Sequence, residues 1–358
     1  MSALSHALPQ ALQSALSEER IPGLDGLRGL AAIAIILTHM KLAPFWVALN
    51  LFFGLSGFLI TWLLLVEEER EGRVSFSAFH VRRVMRIMPA YYVAVLAVVW
   101  LTPESLGKLS EAHLDSTLFY LSNYYQAMHG PTHGALSPFW SLALEEQFYL
   151  IWPLLFIISR GYRVPLLGLA IGGVWWQRWV VVWQEGHFDW AYHAADTRAD
   201  HILVGCLLAI GLHKGVLPWL WRGLCARRLC MGFTLGPLAV LTLIPLIYGE
   251  AYRLGLAFYL EPWFIAGLLV QVIACSANGG LAWLQHDVLR WLGHRSYALY
   301  LYHVLAMFLV QDMLPAWTPW SLALPSLLLA LFFSELSWRL VESPSQALRR
   351  AMLAKVKG

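Results

Sequence analysis

Arg28 and His39 stand eleven residues apart in LDGLRGLAAIAIILTH, an otherwise apolar stretch. Eleven residues make about three helical turns and a rise of roughly 16 Å, so a helix puts both side chains on one face. An ionisable group at membrane depth faces a protein interior or a water-filled cavity and is a functional group by default. The other reading, a structural His bonded to a carbonyl of a neighbouring helix, stays open. Further along, FHVRRVMRIMPAYY sets Arg82, Arg83 and Arg86 at i, i+1 and i+4, with Pro89 opening the next apolar stretch. On a helix these three form one cationic patch. Guanidinium forks match phosphate oxygens bidentately, and anchoring to anionic lipid uses the same residues.

Glu145 and Glu146 lie about two turns into the apolar run FWSLALEEQFYLIWP, where a carboxylate needs a partner or a proton. Pairing of at least one with an arginine is the structural reading, and acid–base work the chemical one. Ser56, between Gly54 and Gly57 in NLFFGLSGFL, sits in a small-residue packing motif and is also a polar group available to line a cavity. The segment HFDWAYHAADTRADH collects His187, Asp189, His193, Asp196, Arg198, Asp200 and His201. Their spacing fits no metal-ligand template, and Arg198 with Asp200 reads as a polar pair at the outward mouth of the next helix. His303 shares a helical face with Ser296 and Tyr300, as a satisfied polar contact.

The elements that must position these groups are membrane helices. Of 358 residues, 59% are hydrophobic and 13% charged, against about 25% charged in soluble domains. Ten apolar stretches recur, at about 27–43, 46–65, 88–103, 138–158, 164–183, 200–213, 232–249, 254–275, 296–313 and 317–338. With the N-terminus cytoplasmic, ten spans put the C-terminus there too. All but five of the 25 Lys/Arg then fall on the cytoplasmic side, the five being Lys41, Lys108, Arg178, Arg198 and Arg253. That split follows the positive-inside rule. The expectation is an all-α, polytopic integral membrane protein with about ten transmembrane helices. It divides into an N-terminal tail at 1–20, a membrane domain at 21–344 and a basic cytoplasmic tail at 345–358. Soluble-enzyme, disordered-scaffold and nucleic-acid-binding classes are excluded. Cys206, Cys225, Cys230 and Cys275 form no CxxC pair, so neither a disulfide framework nor a zinc site is expected. The first twenty residues lack the features of a cleavable signal and suit a short amphipathic helix.

Taken together, the segments LDGLRGLAAIAIILTH, NLFFGLSGFL, FHVRRVMRIMPAYY, FWSLALEEQFYLIWP, TRADHILVGCLLA, LGHRSYALYLYH and SWRLVESP resemble the membrane-bound acyltransferase-3 family, in family order from about residue 24 to 344. The resemblance implies an O-acyltransferase in the bacterial inner membrane that carries no bound cofactor. Its co-substrate would be cytoplasmic acyl-CoA, usually acetyl-CoA. Its acceptor would be a hydroxyl of an extracytoplasmic glycan or glycolipid. His39 would be the general base in a buried cavity, Arg28 its cavity-lining partner, and Arg82, Arg83 and Arg86 the donor's phosphate site. The departures are Asn50 where many relatives have Asp, Pro138–Phe139 where His-Thr often stands, and Tyr302 in a place often held by Trp. Some relatives carry an extra extracytoplasmic hydrolase-like domain; only fourteen residues follow Pro344 here, so a separate partner protein is the expected source of that role. Membrane lipids are the remaining partners. Two rivals stay in view: an acyltransferase for small hydroxylated metabolites, and a transporter or flippase without chemistry. The intramembrane His, Arg and Glu suit a transport path, but no internal repeat supports one.

Overall fold

The computed structural model describes residues 8–18, 20–102, 110–132, 134–225 and 229–357, with the backbone alone at 229, 230 and 353–357. Lys108, Arg227 and Arg228, and the side chains of Cys230, Lys355 and Lys357, therefore lie outside the described residues. All regular structure among the described residues is helical. In chain order the helices are α1 (Gln10–Ser17), α2 (Leu24–His39), α3 (Val47–Glu71), α4 (Phe76–Leu101), α5 (Glu111–Leu118), α6 (Ser122–His129), α7 (Phe139–Ile158), α8 (Arg163–Trp179), α9 (Phe188–His193) and α10 (Ala195–Arg198). They continue with α11 (Asp200–Lys214), α12 (Pro218–Cys225), α13 (Leu229–Leu243), α14 (Pro245–Tyr252), α15 (Phe258–Ala277), α16 (Asp287–Met313), α17 (Pro319–Ser337) and α18 (Ser343–Lys357).

A helix forms over each of the ten apolar stretches. Among the described residues six helical runs are long and apolar enough to cross a membrane, and a seventh is gained if α11 and α12, bent by 103°, count as one span. The chain is thus an all-α, multi-pass membrane protein. Outside these runs are shorter helices such as α2 with 16 residues and α11 with 15, and also α16, which has 27 residues but is less apolar.

One boundary differs from the sequence expectation. Pro89 does not open a helix but lies inside α4, whose 26 residues start after an N-cap at Ser75. The Ser75 hydroxyl accepts a hydrogen bond from Ala78 N (3.3 Å), a stronger start signal than the proline. A proline costs one backbone bond, which transmembrane helices tolerate when neighbours satisfy the freed group. The consequence is functional: Arg82, Arg83 and Arg86 ride on the same rigid helix as the apolar stretch. By contrast, the piece at 114–125 is too short to span, and it breaks into α5 and α6 at Tyr120, whose φ of 55° is left-handed.

The chain forms two units, each assembled from three segments. The first comprises Met1–Ile35, Pro44–Val74 and Phe156–His294. Its centre is α3 packed on α11, and glycines make the approach possible. A Cβ on Gly57 would stand 1.9 Å from the Ile202 carbonyl oxygen, and one on Gly205 would stand 2.2 Å from the Gly54 carbonyl oxygen. This is the small-residue contact expected for FFGLSGF. The amphipathic helix α1 lays Leu12, Ala15 and Leu16 against the same unit, packed on α15. The second unit comprises Ile36–Ala43, Ser75–Leu155 and Arg295–Gly358. Here Tyr91 of α4 stacks on Tyr120 (centroids 4.2 Å apart), meets Phe139 edge-on (5.2 Å) and donates to Thr117 O (2.8 Å). These contacts tie α4, α5 and α7 together. Of the described cysteines, Cys206 is buried and Cys225 and Cys275 are half-buried.

Candidate functional site

The second unit brings His39 and His303 together. His39 ends α2, and its ring meets the His303 ring edge-on at 4.8 Å, with Nδ1 of His39 3.3 Å from Nε2 of His303. His303 lies on α16, wholly buried, and its Nδ1 is 2.6 Å from the Tyr300 backbone oxygen. Donor logic fixes the tautomers. A carbonyl only accepts, so His303 Nδ1 carries the proton and, in the neutral ring, Nε2 is an acceptor. His39 Nδ1–H then donates to His303 Nε2, which places the lone pair of His39 on Nε2, outside this relay. The arrangement orients one imidazole with a second one, as a carboxylate or carbonyl orients a catalytic or metal-bound His elsewhere. His39 is exposed, contrary to the buried position expected from its place in an apolar run. It is the last residue of its helix, and the chain turns at Lys41 with φ 58°.

The supports of His303 are local. The Tyr300 hydroxyl donates to Pro138 O (3.0 Å) and lies 2.6 Å from Ser141 Oγ. Tyr300 is thus pinned between α16 and the start of α7, and the carbonyl holding His303 is pinned with it. From Ser141 the polar face of α7 continues to Glu145 and Tyr149, at i, i+4 and i+8, a distance of roughly 12 Å. Tyr149 donates to Glu145 Oε2 (3.3 Å), and the Arg83 guanidinium lies over the Tyr149 ring at 4.7 Å and near the Phe79 ring at 5.8 Å. Such cation–π contacts hold an arginine in place without neutralising it. Arg83 also lies within electrostatic reach of Glu146, Glu145 and Arg86. Tyr297, one turn before Tyr300, donates to Ile87 O (3.2 Å) on α4. A polar lane therefore runs through this unit from the arginines of α4 to the imidazole pair.

The remaining site candidates belong to the first unit. Arg28 is half-buried on α2 and Ser56 half-buried on α3. Arg198 and Asp200, read from the sequence as a polar pair, are both wholly buried, and each has a different principal partner. Arg178 Nη2 donates to Asp200 Oδ2 (2.5 Å) and Nη1 donates to Thr197 O (3.0 Å). Arg198 Nη2 donates to Asn50 Oδ1 (2.6 Å) and Nε donates to Tyr192 O (3.1 Å). Asn50 in turn donates to Glu261 Oε2 (2.5 Å). His201, also buried, donates from Nδ1 to Asp200 Oδ1 (2.9 Å), with Nε2 3.6 Å from Glu261 Oε2. The guanidiniums of Arg178 and Arg198 thus face the carboxylates of Asp200 and Glu261 in one buried cluster. A buried charge needs such pairing, and Arg198 and Asp200, separated by one residue on adjoining helices, are each served better by partners from other helices. His193, on the short α9 outside the spans, donates to Asp189 O (2.8 Å), and Trp190 donates to Asp196. Burial, helped by the charges of Arg198 and Arg253, pushes His193 down to about 4 against that bond.

Four contributors escape the sequence reading. Arg178 and Glu261 each leave a signal, a lone charge inside VWWQRW and FYLEPWFIAG, and intramembrane charges imply partners. Asn50 stands out in the sequence only as a departure from the family pattern, with no sign of its partners. Arg349 of α18 reads only as tail, yet it lies within electrostatic reach of Arg82 and Arg83.

Comparison with known proteins gives the arrangement its context. The acyltransferase domain family matches residues 21–339. The chain is 32% identical over 364 residues to the peptidoglycan O-acetyltransferase OatA of Listeria monocytogenes, covering 92% of this chain and 56% of that protein. It is 28% identical over 370 residues to the O-acetyltransferase OatA of Staphylococcus aureus, covering 93% of this chain and 58% of that one. The chain thus spans little more than half the length of these relatives. No solved structure matches it. With the family match running through nearly the whole membrane portion, the chain belongs to the acyltransferase-3 family.

Proposed function

We propose that this protein transfers an acetyl group from cytoplasmic acetyl-CoA to a hydroxyl of an extracytoplasmic glycan of the peptidoglycan class, in the bacterial plasma membrane. The observation that carries the reading is the His39–His303 relay at one end of a polar lane whose other end is a cluster of arginines. The relatives' names supply the acyl group and the acceptor class. In this reading the arginines of α4 hold the phosphates of CoA at the cytoplasmic mouth. An extended pantetheine arm covers the roughly 12 Å along α7 toward Ser141.

Chemistry then follows from the tautomers. His39 Nε2 takes the proton of the acceptor hydroxyl as its oxygen attacks the thioester carbonyl carbon. The tetrahedral intermediate collapses with cleavage of the C–S bond, and the CoA thiolate recovers the proton from His39, giving free CoA and the O-acetyl ester. His303 holds the ring through Nδ1 while the charge passes over it. The exposure of His39 is what a base needs to meet an acceptor. General-base assistance of this kind contributes roughly 10²–10⁴-fold, and positioning of the two substrates adds to it. Arg28, on α2 like His39, keeps the role that the family resemblance implies for it.

The experiment is transfer of radiolabel from [acetyl-¹⁴C]acetyl-CoA to glycan in proteoliposomes. Wild type labels the glycan, and His39→Ala, folded by its melting profile, drops at least about 100-fold. Label transfer at wild-type rate by His39→Ala removes the base from the account, and movement of glycan across the bilayer without label exchange replaces it with transport.

A further inference from the structure

The segment between α4 and α7 turns back into the second unit. Tyr91 and Tyr92 of α4 lie roughly 14 Å before its end at Leu101. Their hydroxyls donate to Thr117 O (2.8 Å) and Leu118 O (3.2 Å), at the end of α5. Gln147, about 12 Å from the start of α7, donates to Tyr120 O (2.7 Å) and to Asn123 Oδ1 (2.9 Å). α5 and α6 therefore form a re-entrant hairpin. It enters from the end of α4 opposite the arginines and turns at Tyr120, about halfway along both spans. Broken backbone at that depth is tolerated where protein covers it or where it lines a water-filled cavity. The carbonyls of the turn are covered by the bonds just named. Three side chains of the hairpin are not served: His113 Nε2, Tyr120 Oη and Ser122 Oγ are buried without a hydrogen-bond partner among the described residues. Buried polar groups pair with protein, water or ligand, so water or a ligand reaches this hairpin.

Its outer part carries a stack of rings. Tyr125 stacks on His113 (centroids 4.9 Å apart, planes 6° apart) and on His129 (4.5 Å, 24°). His129 is exposed, and its Nδ1 donates to Tyr125 O (2.9 Å), which leaves Nε2 an acceptor. The Tyr125 hydroxyl lies 3.2 Å from Ser110 Oγ. A pyranose presents C–H groups on its faces and hydroxyls around its edge, so an aromatic face with a hydrogen-bonding rim suits it. The stack offers no guanidinium or ammonium group, which favours an uncharged sugar over an anion. The same helix is fastened to the support of the imidazole relay. Gln126 Nε2 donates to Ser137 O (2.9 Å), the carbonyl next to Pro138 O, which accepts from Tyr300. We infer that the α5–α6 hairpin is the acceptor-binding element, with Tyr125 and His129 holding one sugar ring of the glycan beside the His39–His303 pair. This placement rests on the acetyl-transfer reading given above and gives the acceptor of that reading a docking site.

The test uses full-length protein in nanodiscs, where both faces meet solvent. The acceptor probe is chitotetraose, a soluble tetramer of N-acetylglucosamine. Transfer of ¹⁴C-acetyl label and calorimetric binding of the probe are compared for wild type, His129→Ala, Tyr125→Leu, His129→Phe and His39→Ala. Loss of one stacking ring is expected to raise the chitotetraose KM and Kd about tenfold, with the acetyl-CoA KM unchanged. His129→Phe keeps the ring face and is expected to recover most of the affinity. If His129→Ala and Tyr125→Leu keep wild-type KM and Kd for the probe while His39→Ala loses transfer, this placement is overturned and the acetyl-transfer reading stands. If wild type binds the probe through His129 yet labels no glycan, acetyl transfer fails and the hairpin remains a sugar site. Equal rises in both KM values, without recovery in His129→Phe, make the hairpin a structural support and also overturn the placement.

Discussion

Exchanging the carboxamide and the carboxylate between Asn50 and Glu261 tests the buried network of the first unit. Asn50 of α3 and Glu261 of α15 are each 1% exposed, and Arg198, the cation they share, is 0% exposed. Asn50→Asp alone places two carboxylates 2.5 Å apart and gives the cluster one surplus negative charge. At an effective dielectric of 20 and a charge separation near 4 Å, repulsion costs about 4 kcal/mol. Glu261→Gln alone leaves two guanidiniums facing one carboxylate, and removing one member of a buried charge set costs roughly 3–5 kcal/mol. The double variant, Asn50→Asp/Glu261→Gln, moves the charge without changing the total. The new carboxamide at position 261 donates to the new carboxylate at position 50, and that carboxylate accepts directly from Arg198. Most of the roughly 8 kcal/mol expected from simple addition should therefore disappear. The assay is thermal unfolding in detergent followed by intrinsic fluorescence, for which the 18 tryptophans give ample signal. Each single variant is expected to melt several degrees below wild type, and the double close to it. Melting of the double at or below the sum of the single losses would refute the charge-balance argument, because hydrogen bonding and shape alone offer no reason for recovery.

The imidazole relay predicts that His303→Ala lowers kcat while leaving the KM for acetyl-CoA near wild type, since the loss falls on the orientation of His39; an effect on KM alone, read from steady-state kinetics, would contradict it. A pH series tests His193, whose folded value near 4 lies below the ordinary 6.5. Its contribution is fully present above about pH 6.5 and is lost as pH falls, because the unfolded chain takes up a proton that the folded one does not; between pH 7 and pH 5 the loss is about 2 kcal/mol. His193→Gln should therefore flatten the acid limb of the melting profile, and an unchanged limb assigns the acid sensitivity elsewhere. Gly57→Ala should prevent folding or lower the melting temperature strongly, because its Cβ would stand 1.9 Å from a carbonyl oxygen of α11; Gly172→Ala, which meets nothing within 4 Å, is the control and should melt as wild type.

Much of the fold was legible because the membrane imposes simple rules. A span must be apolar over about twenty residues, and each apolar stretch became a helix. The glycines of FFGLSGF announced a close helix contact, and α3 and α11 meet there. Depth was less legible. His39 lies in an apolar run, but it is where the helix stops, and termination depends on the backbone turn at Lys41 rather than on any strong breaker in the sequence. Partners were least legible of all. Arg198 and Asp200 sit two residues apart and so read as a pair, yet a charge in a low-dielectric interior selects whichever group offers the best geometry. Here those groups are Asn50, 148 residues away from Arg198 in sequence, and Arg178. Pairing of this kind is a property of helix packing, and one sequence shows only that each charge must have some partner.

The two clusters differ in a way that bears on function. In the cluster of the first unit the charges are matched, exposure is nil, and the network joins α3, α8, α11 and α15. Matching removes the field that a substrate could use, so this cluster fastens helices. In the second unit the polar groups of α7 and α16 are arranged along a path, with the Arg83 guanidinium over the Tyr149 ring at one end of it. At the other end the orienting group for His39 is a neutral imidazole, which costs far less to bury than a carboxylate would. The same physics that forces pairing in the first unit therefore explains this choice in the second. In the proposed mechanism a neutral relay keeps the base oriented without adding a buried charge that the helices would have to neutralise.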